Sequence, residues 1–394
     1  MKNFKALLAG SLLALCVVAM SSCDKDDDGG KTPAAKKYTL SINISYPEDV
    51  NMADVQGLSI EATNEKEQSY SVDTVAVESL QLTVSSGQYR ILVNGKITDV
   101  ITLNGSANVN VYEDAAASVE LQTVRKSSLI FKSLYYVSYL YYFNDTYFEI
   151  VNNSDEVQYL DQCIVGNMTQ LQGKPTEWVD NDGKQLDRYP FYGYVVAFPG
   201  NGTDYPLQPG QSVVIANDAT DHSTLKAAEC PNLSGADWEI YLSDAGRIFT
   251  DVDYEAPNMD VIYYNAQPKS FGQGAFGSAM VLAKLPAGQT PAQFAADAAN
   301  LSTVPNSDGT MKYLMMPSNY VLDAVEMVDP ELTEPTKNLL TRDDASYVSM
   351  AAWSAKAIVR KSTVDAETNR VYYQDTNDSA KDFLIDQPLV NLPK

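Results

Sequence analysis

"TYFEIVNNSDEVQYL", residues 146–160, is the stretch that decides the fold. Phe148 and Ile150 share parity, so one side of the run is apolar, as in a strand with one face in a core. The run "SSLIFKSLYY" (127–136) before it reads as a partner strand, with Ile130, Leu134 and Tyr136 on one parity. Between the two lies "VSYLYYFNDT" (137–146), a connection holding Tyr139, Tyr141, Tyr142 and Phe143. Exposed loop aromatics are costly, so these rings either cap the open end of a sandwich or form a surface for a ligand or partner.

The same strand pattern continues in both directions. Downstream, "LQPGQSVVIAN" (207–217) is a turn set by Pro209-Gly210 followed by a strand. "DWEIYLSDAGRIFTDVDY" (237–254) reads as a hairpin about Asp244-Ala245-Gly246, and "GSAMVLAKL", "NYVLDAVEMV" and "SAKAIVRKS" as further strands. One helix interrupts them, "TPAQFAADAANL" (290–301), with Thr290 as N-cap, Pro291 at N1, and Phe294, Ala298 and Leu301 on one face. Upstream, "YTLSINISY" (38–46) alternates Tyr38, Leu40, Ile42 and Ile44 with polar residues. Short strands at 58–63, 80–84, 87–95, 107–113 and 117–124 follow, the spacing of a β-sandwich. With 394 residues the chain is too long for one such domain, and a boundary falls near residues 123–129.

Three segments carry a family resemblance. "TYFEIVNNSDEVQYL" looks like the strand pair that opens the lamin-tail β-sandwich, and "LQPGQSVVIAND" like its Leu-x-Pro-Gly hairpin. "IVRKSTVDAETNRVYYQDTNDSAKDF" (358–383) looks like its closing segment, an Arg-containing strand, a long turn and an Asp-Phe pair. The "SGQYRILVNG" unit resembles the Gly-x-Tyr strand of transthyretin-like, or carboxypeptidase-regulatory-like, modules. The whole resembles a family of Bacteroidetes surface lipoproteins of uncharacterised function. The resemblance implies a mostly β chain of two tandem β-sandwiches, regulatory-like over 38–125 and lamin-tail-like over 126–394, with insertions at about 166–206 and 286–318 where function would reside.

The start of the chain resembles a lipoprotein signal. Lys2 and Lys5 precede an apolar run ending "MSSC", too short to span a membrane. This implies cleavage after residue 22 and lipidation, including palmitate, of Cys23. Residues 23–37 then form a flexible acidic tether, and "KDDD" resembles a surface-export signal. The expected location is the outer membrane, lipid-anchored and facing outward.

The formal charge of −23, or −25 without Lys2 and Lys5, leaves no electrostatic footprint for nucleic acid. Beyond Cys16 and Cys23, only Cys163 and Cys230 remain, as a disulfide or as two buried thiols. The single histidine, His222 in "NDATDHST", reads as a polar loop residue beside Asp218 and Asp221. It builds no His-rich metal site, and no Gly-x-Ser-x-Gly elbow accompanies it. "DNDGK" (180–184) and "DTNDSAKD" (375–382) offer oxygen ligands of the calcium type but read as turns. Met311, Met315 and Met316 read as packing.

These observations give a non-enzymatic binding protein with no cofactor. The resemblance implies partnership with a TonB-dependent outer-membrane transporter in nutrient uptake, with a small-molecule, peptide or glycan ligand. The alternative is a structural or adhesive cell-surface protein. The proposed ligand-binding residues are Tyr139, Tyr141, Tyr142, Phe143, Trp178 and Tyr192, since the 176–200 segment adds Trp178, Tyr189, Phe191, Tyr192 and Tyr194 from a second loop that can meet the first.

Overall fold

The computed structural model describes residues 36–47, 50–97, 101–125, 127–168, 176–242, 251–266, 270–271, 276–333 and 335–394. The expected signal, Cys23, the part of the expected tether up to residue 35 and the expected turn at Asp244-Ala245-Gly246 lie outside the described residues. The chain divides after Val124 into two compact units.

The first unit is built from β1 (Lys37–Ser45), β2 (Gly57–Asn64), β3 (Ser69–Thr74), β4 (Ser79–Ser85), β5 (Gly87–Lys96), β6 (Ile101–Val111), β7 (Ala115–Glu120) and β8 (Gln122–Arg125). They form a three-stranded sheet, β4-β1-β7, and a five-stranded sheet, β3-β2-β5-β6-β8. Alternation drives the packing: Leu40, Ile42 and Ile44 of β1 meet Leu58, Ile60 and Ala62 of β2 and Tyr89, Ile91 and Val93 of β5 in one core. The run at 117–124 is two strands in different sheets, and β3 was hidden because its polar residues outnumber its half-buried Tyr70 and Val72.

The second unit opens with β9 (Leu129–Tyr135), β10 (Tyr147–Asn152), β11 (Gln158–Tyr159), β12 (Cys163–Met168) and β13 (Arg188–Ala197). Next come β14 (Pro206–Leu207), β15 (Ser212–Ala216), α1 (His222–Leu225), β16 (Trp238–Glu239), β17 (Asp260–Tyr264) and β18 (Ala279–Lys284). It closes with α2 (Pro291–Ala296), β19 (Leu301–Ser302), β20 (Tyr313–Pro317), β21 (Val321–Val328), β22 (Val348–Ser349), β23 (Ala357–Arg360), β24 (Ser362–Val364), β25 (Val371–Tyr373), α3 (Ser379–Asp382) and β26 (Phe383–Gln387).

Two sheets face each other. One runs β16-β15-β10-β9-β23-β26, the other β19-β20-β13-β12-β18-β21-β22 with β17 beside β13. Their shared core joins Phe131, Leu134, Phe148 and Ile150 of the first to Cys163, Val165, Tyr194, Val196, Met280, Leu282 and Val325 of the second. Phe148 packs edge-on against Phe131 at 6.1 Å and meets Phe271 at 6.0 Å with the ring planes tilted at 45°. Each such buried ring contributes roughly 1.5–3 kcal/mol by burial alone. A bulge at Lys132, opposite the Glu149/Ile150 step, shifts the parity of β9. Leu129, Phe131 and Leu134 therefore enter this core and Ile130 does not, which corrects the simple alternation expected for the first strand.

The second sheet has a further core on its outer face. Ile164, Phe191, Val195, Ala279, Val281, Leu314 and Met316 meet Phe294 and Ala295 of α2 there. Sheets covered on both sides use continuous apolar runs, and β12 and β18 are of that kind. Parts of the segments expected as insertions are elements of this sheet: 188–197 and 313–317 are strands in it, and 291–296 packs on its outer face. The helix itself is shorter than expected. Thr290 and Gln293 form a capping box with Pro291 behind it, but the helix ends at Ala296. Asp297 then caps a separate 3-10 turn, Ala298–Asn300, so Ala298 and Leu301 lie off the helical face.

Cys163 and Cys230 are both buried and free, which removes the disulfide. The Pro209-Gly210 turn is present, with Gly210 at φ 77° and the Gln211 amide donating to Gln208. The closing segment is organised around Arg360, which is buried. Its Nε donates to the Phe131 carbonyl (2.7 Å), Nη2 to Asp323 (2.6 Å) and Nη1 to the Gln374 carbonyl (2.9 Å), with Asp375 and Asp382 at 3.4 Å. The guanidinium lies 4.6 Å from the centre of the Phe383 ring, so the Arg strand and the Asp-Phe pair are one interlocked unit. Asp375 and Asp382 face Arg360, and Asp180 accepts from the amides of Asp182 and Lys184, which is how both acidic runs serve as turns.

Candidate functional site

The β9–β10 connection is a second, smaller hairpin. Tyr139 and Tyr142 pair as an antiparallel bridge, and the Tyr142 amide donates to the Tyr139 carbonyl at 2.9 Å. The two residues between them, Leu140 and Tyr141, have φ of 43° and 62°. Positive φ at both central positions is the pattern of a type I′ turn, where Asn-Gly is the preferred pair. Leucine and tyrosine there are strained, by about 1–2 kcal/mol per residue. They are also the most exposed apolar residues of the region, 53% for Leu140 and 75% for Tyr141.

A second strained segment supports the first. Trp353 (φ 65°) and Ala355 (φ 51°) lie in the stretch between β22 and β23. The Trp353 amide donates to the Val137 carbonyl (2.9 Å), and the Ala355 amide to that of Ser138, itself at φ 58°. Tyr141 packs on Trp353 with ring centres 4.3 Å apart and planes at 39°. Phe143 and Phe276 meet the same indole edge-on, at 5.4 and 5.8 Å. The result is an apolar ridge of Leu140, Tyr141, Phe276 and Trp353 held on a rigid backbone frame.

Under the ridge lies a buried polar network. Asp145 accepts from the Tyr135 hydroxyl (2.8 Å) and contacts Ser138 Oγ (3.0 Å), which also bonds the Tyr142 carbonyl. Burial pushes the Asp145 carboxyl up to about 7, against the lowering effect of its bonds to Tyr135, Ser138 and Cys230. Burial, reinforced by Asp145, pushes the Cys230 thiol up to about 12. Tyr142 bonds His222 Nδ1 at 2.9 Å, and His222 Nε2 faces the Asp218 carbonyl at 2.9 Å. With Nε2–H donating to that carbonyl, Nδ1 accepts from the Tyr142 hydroxyl. Burial holds the imidazole below its ordinary pKa. His222 is therefore a fully buried residue of α1, not the polar loop histidine expected.

The six residues expected to bind form two groups. Tyr139, Tyr141, Tyr142 and Phe143 form or flank the hairpin tip. Trp178 is buried at 3% exposure and packs edge-on against Tyr313 at 5.0 Å, while Tyr192, 41% exposed, is on β13. Among the described residues no ring contact joins the groups. β20, which carries Tyr313, and β22, which precedes Trp353, are five strand steps apart, about 24 Å at the usual spacing. Tyr189, Phe191 and Tyr194 are core residues. Trp353, Phe276 and Leu140 were missed, and the usable signal was Trp353, one of only three tryptophans, in an otherwise small-residue segment.

Comparison with known proteins agrees with this architecture. Residues 208–390 match the family model "Protein of unknown function (DUF4876)". The crystal structure of a DUF4876 family protein from Bacteroides thetaiotaomicron VPI-5482 overlays with a TM-score of 0.58 at 28% identity, covering 90% of this chain and 96% of that one. The fimbrial anchor protein Mfa2 from Porphyromonas gingivalis overlays with a TM-score of only 0.21 at 9% identity, covering 46% of this chain and 78% of that one, too loose to relate the folds. No curated protein matches the chain. No helix among the described residues is long and apolar enough to cross a membrane.

Proposed function

We propose that this chain is a non-enzymatic surface protein, anchored by lipid at Cys23 in the outer membrane, that docks a partner on the Leu140–Tyr141 tip with Trp353 and Phe276. The observation that carries the reading is the exposure of two apolar residues at positions where the backbone disfavours them. Strain of this kind persists where the surrounding structure enforces it, and it concentrates at recognition sites. Ring geometry supports a protein partner over a glycan. The planes around Trp353 are inclined at 39°, 76° and 90°, so no two rings offer one flat platform. Leu140 and Tyr141 instead form an anchor of the kind that fills a partner's apolar pocket. A TonB-dependent transporter is the partner expected, with a small-molecule, peptide or glycan cargo passing to it. A structural or adhesive role would use the same tip against another surface protein.

The test is recruitment of a detergent-solubilised TonB-dependent transporter by purified protein carrying Tyr141→Ala or Trp353→Ala. Both variants should fold and recruit at least tenfold less. Unchanged recruitment would remove the tip from the function. Release of a Cys23→Ser variant from the membrane fraction tests the anchor.

A further inference from the structure

The contact between the tip and its support passes through one hydroxyl. Ser138 Oγ lies against two oxygens, the carbonyl of Tyr142 and Oδ1 of Asp145. A hydroxyl has one proton and donates once. If Asp145 is a carboxylate, Ser138 serves either the carboxylate or the carbonyl, and the other oxygen faces a lone pair. If Asp145 is protonated on Oδ1, its O–H donates to Ser138 Oγ and Ser138 donates to Tyr142, so both contacts are made. Asp145 Oδ2 accepts from Tyr135 in either state.

We propose that Asp145 positions the aromatic tip through Ser138, holding the hairpin while its carboxyl carries a proton and loosening it on ionisation, so that pH regulates the docking surface. The biological weight of this inference rests on the docking reading above, while the device itself is a property of the fold. Groups from every neighbouring element bear on it: Tyr135 from β9, Cys230 from the segment after α1, and Tyr142 with His222, Asp218 and Lys226 around it. Burial raises the tyrosines and the thiol, lowers His222 and pushes Asp145 up to about 7, and of these side chains Asp145 is the one whose carboxyl touches the Ser138 hydroxyl.

Fluorine NMR of protein labelled with 5-fluorotryptophan reads this without a partner. Three tryptophans give three resonances, and Trp353→Phe assigns the one stacked on Tyr141. From about pH 5 to about pH 9 the Trp353 resonance should follow a single-proton titration while those of Trp178 and Trp238 stay still. Asp145→Asn presents an amide N–H to Ser138 at every pH, so it should hold the resonance at its acid position. Ser138→Ala leaves the carboxyl but cuts the link, so the titration should vanish there too, and this variant decides if Asp145→Asn does not fold. A wild-type resonance that does not move overturns the proposal. So does a titration that survives Asp145→Asn, or one abolished by His222→Gln with Asp145 intact. Transporter recruitment by Tyr141→Ala separately tests the docking reading, so a titrating tip with unchanged recruitment would sink that reading alone.

Discussion

Replacing Arg360 with alanine should be among the most damaging single changes in the second unit. The guanidinium is the cation shared by Asp323, Asp375 and Asp382 and the donor to the carbonyls of Phe131 and Gln374. Burial holds Asp323 and Asp375 above the usual carboxylate range, against the lowering effect of the Arg360 charge. Removing one partner of a buried ion pair costs about 3–5 kcal/mol, because the other charge is left without compensation. At about 2–4 °C per kcal/mol for domains of this size, the unfolding temperature should fall by roughly 6–20 °C. The loss should also depend on pH. Without the cation the carboxyl pKa values rise further in the folded state, so the folded variant binds more protons than its unfolded chain above about pH 4. Its stability therefore recovers as pH falls, and the deficit at pH 5 should be smaller than at pH 7.5. Calorimetry at the two pH values measures both. A loss below about 1 kcal/mol at pH 7.5, or one identical at pH 5, would refute the account of Arg360 as an electrostatic clasp.

Further outcomes are expected. Leu140→Asn with Tyr141→Gly supplies the preferred type I′ pair and should stabilise the protein by about 1 kcal/mol in urea titration, even after loss of the Tyr141–Trp353 contact, while abolishing recruitment. Destabilisation would mean the tip is not strained. Gly166→Ala places a Cβ 2.6 Å from the Phe191 ring, at the bulge between β12 and β13, and should cost about 1–3 kcal/mol. A neutral result by thermal unfolding would show that this bulge can open. Burial holds Asp145 and Glu326 up to about 7, so each folded group binds more protons than its unfolded form between about pH 4 and about pH 7. Wild-type stability attributable to them should decline as pH rises through that window and level off above it. If Asp145→Asn and Glu326→Gln leave the slope of unfolding free energy against pH unchanged, those carboxyls are not its source.

The parts of the fold legible in the sequence are those where local chemistry and tertiary role coincide. The alternation of β1 is its burial pattern, and Pro209-Gly210 makes its turn wherever it stands. Arg360 and the Asp382-Phe383 pair were picked out by resemblance to a closing segment, and the structure adds the physical link: a buried guanidinium that meets Asp382 and the Phe383 ring. The second sheet was less legible. Covered on both faces, its strands lack alternation, so its outer core resembled insertions. The candidate site was half legible. The aromatic loop was visible, but Leu-Tyr is a poor turn pair, and nothing local reports positive φ imposed by Val137, Ser138 and Trp353. Trp178 was chosen for its ring, yet a ring in a strand-flanking segment is as useful to packing as to recognition, and here it packs on Tyr313.

The central position of β9 has a kinetic consequence. β9 opens the second unit, pairs with β10 almost at once, and takes as its other neighbour β23, where Ile358 lies opposite Leu134. Its two sides are thus satisfied at very different times: one by a local hairpin, the other only after more than two hundred further residues have been joined to the chain. Pairings of such sequence separation must meet a large loop-closure entropy before they contribute contacts, so folding of this unit is expected on the millisecond-to-second scale or slower. Until β23 arrives, the exposed edge of β9 is the part of the nascent molecule most open to a wrong partner.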